Sequence, residues 1–138
     1  MSQQQPWWNG AVIYQLIVRS YRDGNGDGIG DLQGLSSRLP YLRWLGVEAI
    51  WLTPIYPSPL DDGGYDITDF KAIHPDLGDL AAFHRFLTAA HAQGLKVVMD
   101  LVMNHTSTLH PWFQRARWAP QGSPERDIYV WSVDPHRY

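Results

Sequence analysis

At 138 residues the chain has room for one domain with a real core, and its net charge of −3 excludes the basic footprint of a nucleic-acid or anionic-membrane binder. Seven Trp, seven Tyr and four Phe make it aromatic-rich, and ten Pro with twelve Gly imply many fixed turns. Cysteine is absent, which excludes a disulfide framework and a thiolate metal site and suits a cytoplasmic protein. The start, MSQQQPWWNG, has neither a basic nor an apolar signal region, and no run reaches membrane-spanning length. The expectation is a soluble, cytoplasmic, non-exported protein with no nucleic acid and no membrane among its partners.

Residues 11–18 (AVIYQLIV) form a short β-prone run between Gly10 and Arg19-Ser20 and are read as strand one. The following DGNGDGIGD, residues 23–31, holds four Gly in nine residues and cannot be regular structure. Leu35, Leu39, Leu42 and Leu45 then recur at helical spacing, with Gly46 as a stop. Pro40 lies inside that pattern, so the helix either starts there or is broken there. Residues 47–52 (VEAIWL) are strand two, followed by a long loop through Pro54, Pro57, Pro59 and GGYD to His74-Pro75. Asp79 is an N-cap candidate for a helix with Leu80, Phe83, Leu87 and Ala90 on one face and Gly94 closing it.

Strand three lies in residues 95–105 (LKVVMDLVMNH), where an almost unbroken apolar run carries Asp100 in its middle and ends on Asn104-His105. Continuous apolar runs mark strands buried on both faces of a parallel sheet. Beyond His105 the pattern dissolves among prolines, charges and aromatics, and only residues 127–132 read as a further short strand. The order β-α-β-α-β argues for a parallel sheet with right-handed crossovers. Three such strands leave a sheet edge and apolar faces uncovered, so the expectation is part of a larger domain.

Three polar constellations follow the three strands. Asp23, Asn25 and Asp27 offer side-chain oxygens at positions 1, 3 and 5 of a calcium-type loop, Gly28 turns it at 6, the Ile29 carbonyl falls at 7 and Asp31 at 9. Position 12 is Gly34 where an EF-hand has Glu, and a strand precedes the loop instead of a helix. The alternatives are a structural Ca²⁺ or Mg²⁺ site and a solvated Gly/Asp turn. In GGYD, residues 63–66, Tyr65 could stack on a sugar ring while Asp66 accepts its hydroxyls, although the tetrapeptide also suits a plain turn. Asp100, Asn104 and His105 form the third group, which reads equally as a buried carboxylate satisfied by amides beside an ordinary turn. A lone His105 is weak support for a metal. In a β-α-β-α-β unit all three loops leave the same edge, the edge where barrel enzymes keep their active sites.

The segments YRDGNGDGIGDLQGL, IWLTPIYPSPLDDGGYDITDF and VMDLVMNHTSTLHPWFQ together resemble the α-amylase family, glycoside hydrolase family 13, over the chain from Trp7 onward. The resemblance implies a (β/α)8 TIM barrel of which residues 1–105 would supply strands one to three with helices one and two. Residues 106–138 would open the small domain inserted after strand three. It further implies that Tyr65 stacks under the sugar that is cleaved, that Asp66 and His105 hydrogen-bond that sugar, and that Asp100 is a buried organiser of the loop. In amylases and trehalose synthases the residue matching Asn104 binds a second calcium; in α-glucosidases the usual cation sits in the loop matching residues 23–31.

The family is retaining, and its two carboxyls, about 5 Å apart, perform a double displacement. By resemblance the Asp nucleophile follows strand four and the Glu acid/base follows strand five. Both would lie beyond Tyr138, and the chain alone would hold no catalytic residue and be inactive. No organic cofactor is implied. The stretch PWFQRARWAPQGSPERDIYVWS is similar to the trehalose synthase insertion, which implies isomerisation of maltose to trehalose, with an α-glucoside such as maltose as the small-molecule partner. WWNGAVIYQ and IWLTPIY are equally at home in α-glucosidases and oligo-1,6-glucosidases. A truncated non-catalytic remnant with metal and sugar contacts, or a calcium-binding interaction module, are the readings from other classes.

Overall fold

The computed structural model describes residues 5–134 and His136. Three short strands, β1 (Ile13–Leu16), β2 (Ala49–Leu52) and β3 (Lys96–Met99), form one parallel sheet in the order β1-β2-β3. The register is uninterrupted, Gln15 opposite Trp51 and Trp51 opposite Val98. Strands joined in parallel need crossovers, and helices supply both. The first is split into α1 (Leu32–Ser37) and α2 (Leu39–Trp44); the second is α3 (Leu80–Ala92).

Each strand is shorter than the apolar run that announced it. The run 11–18 yields strand only over four residues, because Val18–Ser20 tightens into a single 3₁₀ turn. The run 95–105 stops being strand at Met99, so Asp100 is the first residue past the sheet and not its middle. Nor is β3 buried on both faces: it pairs with β2 on one side only, Val97 to Asp100 are half-buried and Met103 is exposed.

The helical spacing of leucines is interrupted, as Pro40 requires. Proline cannot donate to the preceding turn, so α1 ends at Ser37, Arg38 is shared as the cap, and Pro40 sits in the first turn of α2, where its missing N–H is harmless. Leu35, Leu39 and Leu42 are fully buried; Leu45, expected with them, is exposed at the end of α2. On α3 the Asp79 carboxylate accepts the Ala82 N–H at 2.6 Å, an N-cap as expected, a contact usually contributing about 1 kcal/mol. Its buried positions are Phe86 and Ala90, with Ala82, Phe83 and Ala89 packed beside them, while Leu80, expected on that face, is exposed at the helix start.

The core lies between the helices and one face of the sheet. Leu16, Ile50 and Leu52 meet Leu32, Leu35, Leu39, Leu42, Phe86, Ala90 and Leu95, and Tyr14, Val97 and Met99 pack at its margin. Burying such side chains contributes about 1.5–3 kcal/mol each. The opposite face, carrying Ile13, Gln15, Trp51 and Val98, has no helix on it among the described residues.

After β3 the chain forms α4 (Pro111–Ala116) and a 3₁₀ turn, Arg126–Ile128. The strand expected over 127–132 is absent among the described residues. Tyr129 and Trp131 fold onto Phe113 of α4, at 5.4 and 5.8 Å between ring centres, and the Trp131 indole N–H donates to the Arg126 carbonyl. The aromatics of this stretch cluster about one helix instead of lining a strand.

Candidate functional site

The carboxyl edge of the sheet gathers around Asp100. Leaving β3, its carboxylate accepts the Trp51 indole N–H on Oδ1 at 2.7 Å and the Tyr65 hydroxyl on Oδ2 at 2.8 Å. The Tyr56 hydroxyl donates to its backbone carbonyl at 3.2 Å. The Asp100 carboxylate is half-buried and served by side chains rather than backbone amides. The hydrogen bond to Asp100, with partial burial and the Asp100 charge, raises the Tyr65 phenol above its ordinary range; burial, then the Asp100 charge, does the same to Tyr56.

His105 joins the group through its Nε2, 3.2 Å from the Tyr65 carbonyl, and its Nδ1 lies 3.4 Å from the Asn104 amide nitrogen. The Asp62 carboxylate stands 4.0 Å from the same Nε2. Tyr65 lines a cleft of about 550 Å³ with Tyr14, Gln15, Tyr21 and Thr53. Asn104 and His105 line a second concavity of about 350 Å³ with Phe70, Met103 and Trp112.

Asp66 sits beside this group with its carboxylate already engaged. Oδ1 accepts the Ser58 hydroxyl at 2.5 Å and Oδ2 the Asp61 N–H at 3.0 Å. Partial burial works to raise its pKa, and the Ser58 hydroxyl and neighbouring amides outweigh it and hold the carboxyl below the usual range. Each oxygen keeps a second lone pair.

The loop 23–31 stands apart, and no hydrogen bond among the described residues joins it to the Asp100 group. Asp23 Oδ1 accepts the Asn25 and Gly26 amides and Oδ2 the Gly28 amide, which, opposed by slight burial, lower its pKa. Asp27 accepts the Ile29 amide and the Asn25 side chain. Asp31 is buried: Oδ1 caps α1 through the Gly34 N–H and Oδ2 accepts the Gly24 N–H. Among the described residues no group of three or more His, Asp or Glu side chains is arranged to hold a metal ion, here or at Asn104. What the loop does offer a hard cation is a set of side-chain oxygens from Asp23, Asn25, Asp27 and Asp31 with the Ile29 carbonyl, the right donor chemistry.

Sequence reading missed four contributors. Trp51 and Tyr56 serve Asp100, Ser58 serves Asp66, and Arg19 ties the loop after β1 to the loop after β2 through Asp76 at 2.7 Å. Arg19, aided by His74 and against slight burial, lowers the Asp76 pKa. None of the four left a local pattern in the sequence.

Parallel strands backed by helices carry a carboxylate, two phenols, an imidazole and an indole at their carboxyl edge, the edge where β/α barrels keep their sites. The catalytic-domain model of the alpha-amylase family matches residues 15–137, and the chain belongs to that family. Its three strands and their helices are therefore an incomplete (β/α)8 barrel.

The chain is 49% identical over 138 residues to a trehalose synthase of Pimelobacter sp., covering all of this chain and 24% of the relative. It is 51% identical over 133 residues to a glucan 1,6-alpha-glucosidase of Streptococcus dysgalactiae subsp. equisimilis, covering 96% and 25%. The solved trehalose-6-phosphate hydrolase of Bacillus licheniformis superposes with a TM-score of 0.87 at 47% identity, covering 93% of this chain and 23% of that one. The chain spans about a quarter of the length of the curated relatives it matches.

Proposed function

We propose that this chain supplies the first three barrel strands of a retaining α-glucoside enzyme, and that residues 106–138 open its inserted domain. The observation that carries this is the Asp100 hub: in a family member, it holds Tyr65 and His105 together at the edge where barrel enzymes bind substrate. Tyr65 is the stacking platform for one terminal glucose, and His105 and Asp66 grip its hydroxyls through their free hydrogen-bonding capacity. The nucleophile and acid/base come from strands following β3 in the family barrel, so this chain alone turns nothing over. The loop 23–31 holds a structural Ca²⁺ or Mg²⁺ ion, whose role is to fix the loop ahead of α1. Lack of cysteine supports a cytoplasmic setting.

Trehalose synthesis from maltose is the preferred reaction. Its support is the match over the whole chain to a trehalose synthase, including residues 106–138. The isomerisation requires released glucose to be held while it turns and reattacks, so the pocket must exclude water. Trp112, Phe113 and Trp131 would help wall that pocket: Trp112 lines the concavity beside His105, stacked on Phe70 at 6.5 Å, while Phe113 and Trp131 stack on one another. An α-glucosidase is the second reading, favoured by the glucan 1,6-alpha-glucosidase relative at 51% identity.

Chromatography of a maltose reaction with the intact enzyme separates them. Trehalose as main product with glucose as a leak is expected, and Trp112→Ala should raise glucose relative to trehalose. Glucose as the only wild-type product would leave the α-glucosidase.

A further inference from the structure

We infer that Trp51 is a positioning residue: its indole N–H fixes the Asp100 carboxylate, which in turn aims the Tyr65 hydroxyl and ring at the substrate. This rests on the proposed role of Tyr65 as a sugar platform and extends it to a residue inside the sheet.

The geometry carries it in three steps. Trp51 lies on β2, the central strand, paired on both sides with Gln15 of β1 and Val98 of β3. Asp100 is two residues beyond Val98, so alternation along β3 directs it to the same face as Trp51. Of the two side chains that donate to the Asp100 carboxylate, Tyr65 stands in a loop and Trp51 alone stands on a strand. A carboxylate torsion is broad and roughly two-fold, so one donor leaves the group free to swing; the second, held by the sheet, locks its plane. Oδ2 is then presented to Tyr65, whose own carbonyl meets His105. Rigidity passes from the sheet to the loop residue through two hydrogen bonds that share one carboxylate.

A purely packing role fits Trp51 poorly. Packing needs only the ring, whereas the Trp51 indole N–H reaches the Asp100 carboxylate at 2.7 Å. Its ring contributes little to the described core, and its one polar atom is spent on Asp100.

The test uses the intact enzyme and two readouts. Trp51→Phe keeps an aromatic ring and removes the N–H. A bond to a charged group is expected to show as about a tenfold or greater fall in kcat/KM for an α-glucoside. In an Asp100→Asn background the same substitution should add little, because it acts through Asp100. The second readout needs no turnover: NMR titration of the Tyr65 phenol, labelled at Cζ. Trp51→Phe and Asp100→Asn should each move its ionisation down toward the ordinary value near about 10, and the double variant no further. Should Trp51→Phe fold poorly, benzothienylalanine at position 51 keeps the indole shape without the N–H. A Tyr65 titration untouched by loss of that N–H, while Asp100→Asn shifts it, overturns the inference. A wild-type enzyme inert toward α-glucosides would sink the functional reading instead, and the titration would still judge Trp51.

Discussion

Asp31 and Gly34 explain why a loop spaced like an EF-hand lacks its twelfth ligand. The Asp31 carboxylate both caps α1 and reaches back to the Gly24 amide, which folds the loop against the helix it precedes. At Gly34 a Cβ would overlap the Arg22 carbonyl, so the Glu an EF-hand carries there has no room. A cation in this loop must therefore make do with Asp23, Asn25, Asp27, Asp31 and the Ile29 carbonyl. Asp27→Asn separates the cation from the scaffold, because it keeps an acceptor for the Ile29 amide and removes the charge. Metal analysis of the intact protein should show bound Ca²⁺ or Mg²⁺ lost in the variant. A chelator should lower the melting temperature of the wild type alone, binding at a hundredfold excess over Kd contributing about 2.7 kcal/mol. Equal metal content and equal melting would leave a Gly/Asp turn closed by its own amides. At this scale Asp100 and His105 stood out as polar groups past a strand's carboxyl end, and Tyr65 through the GGYD turn. Trp51 and Ser58 were not legible, since a hydrogen bond to a residue far along the chain leaves no local pattern.

Among the elements, α4 is the one the sequence hid, because six residues are too few to show a helical period. Its signal was the cap: His110 Nδ1 accepts the Trp112 N–H at 3.0 Å, and Pro111 fills the first turn. His110 is buried against Phe70 and Trp112, and burial lowers its pKa, with Arg115 pushing the same way and Asp69 opposing. The cap needs an unprotonated Nδ1, so both features favour the neutral ring in the folded state. Above the unfolded value of about 6.5 the ring is neutral folded or unfolded, and the stability is fully present. As pH falls from there through the depressed folded value, the unfolded chain takes up its proton first and stability is lost. Melting temperature should therefore drop as pH falls below about 6.5. His110→Asn, which keeps a capping acceptor, should flatten that limb. The lowered Asp23, Asp66 and Asp76 weaken folding only lower, where carboxylates titrate. An unchanged slope in His110→Asn would remove the imidazole from the account. The other elements were readable where one cause dominated. Pro40 breaks a helix whatever surrounds it and Asp79 caps one locally, whereas strand lengths depend on partners the local sequence does not name.

At the scale of the whole chain, the sheet has one face sealed by helices and one that no helix covers. Ile13, Ile17 and Trp51 stand exposed on the bare side of the molecule, and Leu101 and Met103 follow past the edge strand β3. An apolar surface of this kind is ordinarily withdrawn from water by further structure or by association. In a (β/α)8 barrel the inward face of every strand is filled by side chains of the other strands, and each edge is paired. The local units are sound in themselves: α1 and α3 pack on each other, and fifteen residues make a continuous buried cluster. The local structure should consequently form while the bare face remains adhesive. Prepared as these 138 residues alone, the chain should bind an apolar dye, elute above monomer size with increasing concentration, and hydrolyse no nitrophenyl α-glucoside. The intact enzyme under the same conditions should bind little dye and turn over substrate. Light scattering with an activity assay decides both halves. A dye-silent monomer would mean that this face covers itself by a rearrangement of the N-terminal Trp7-Trp8 segment. Turnover by the 138 residues would mean that a carboxylate pair for double displacement already lies within them.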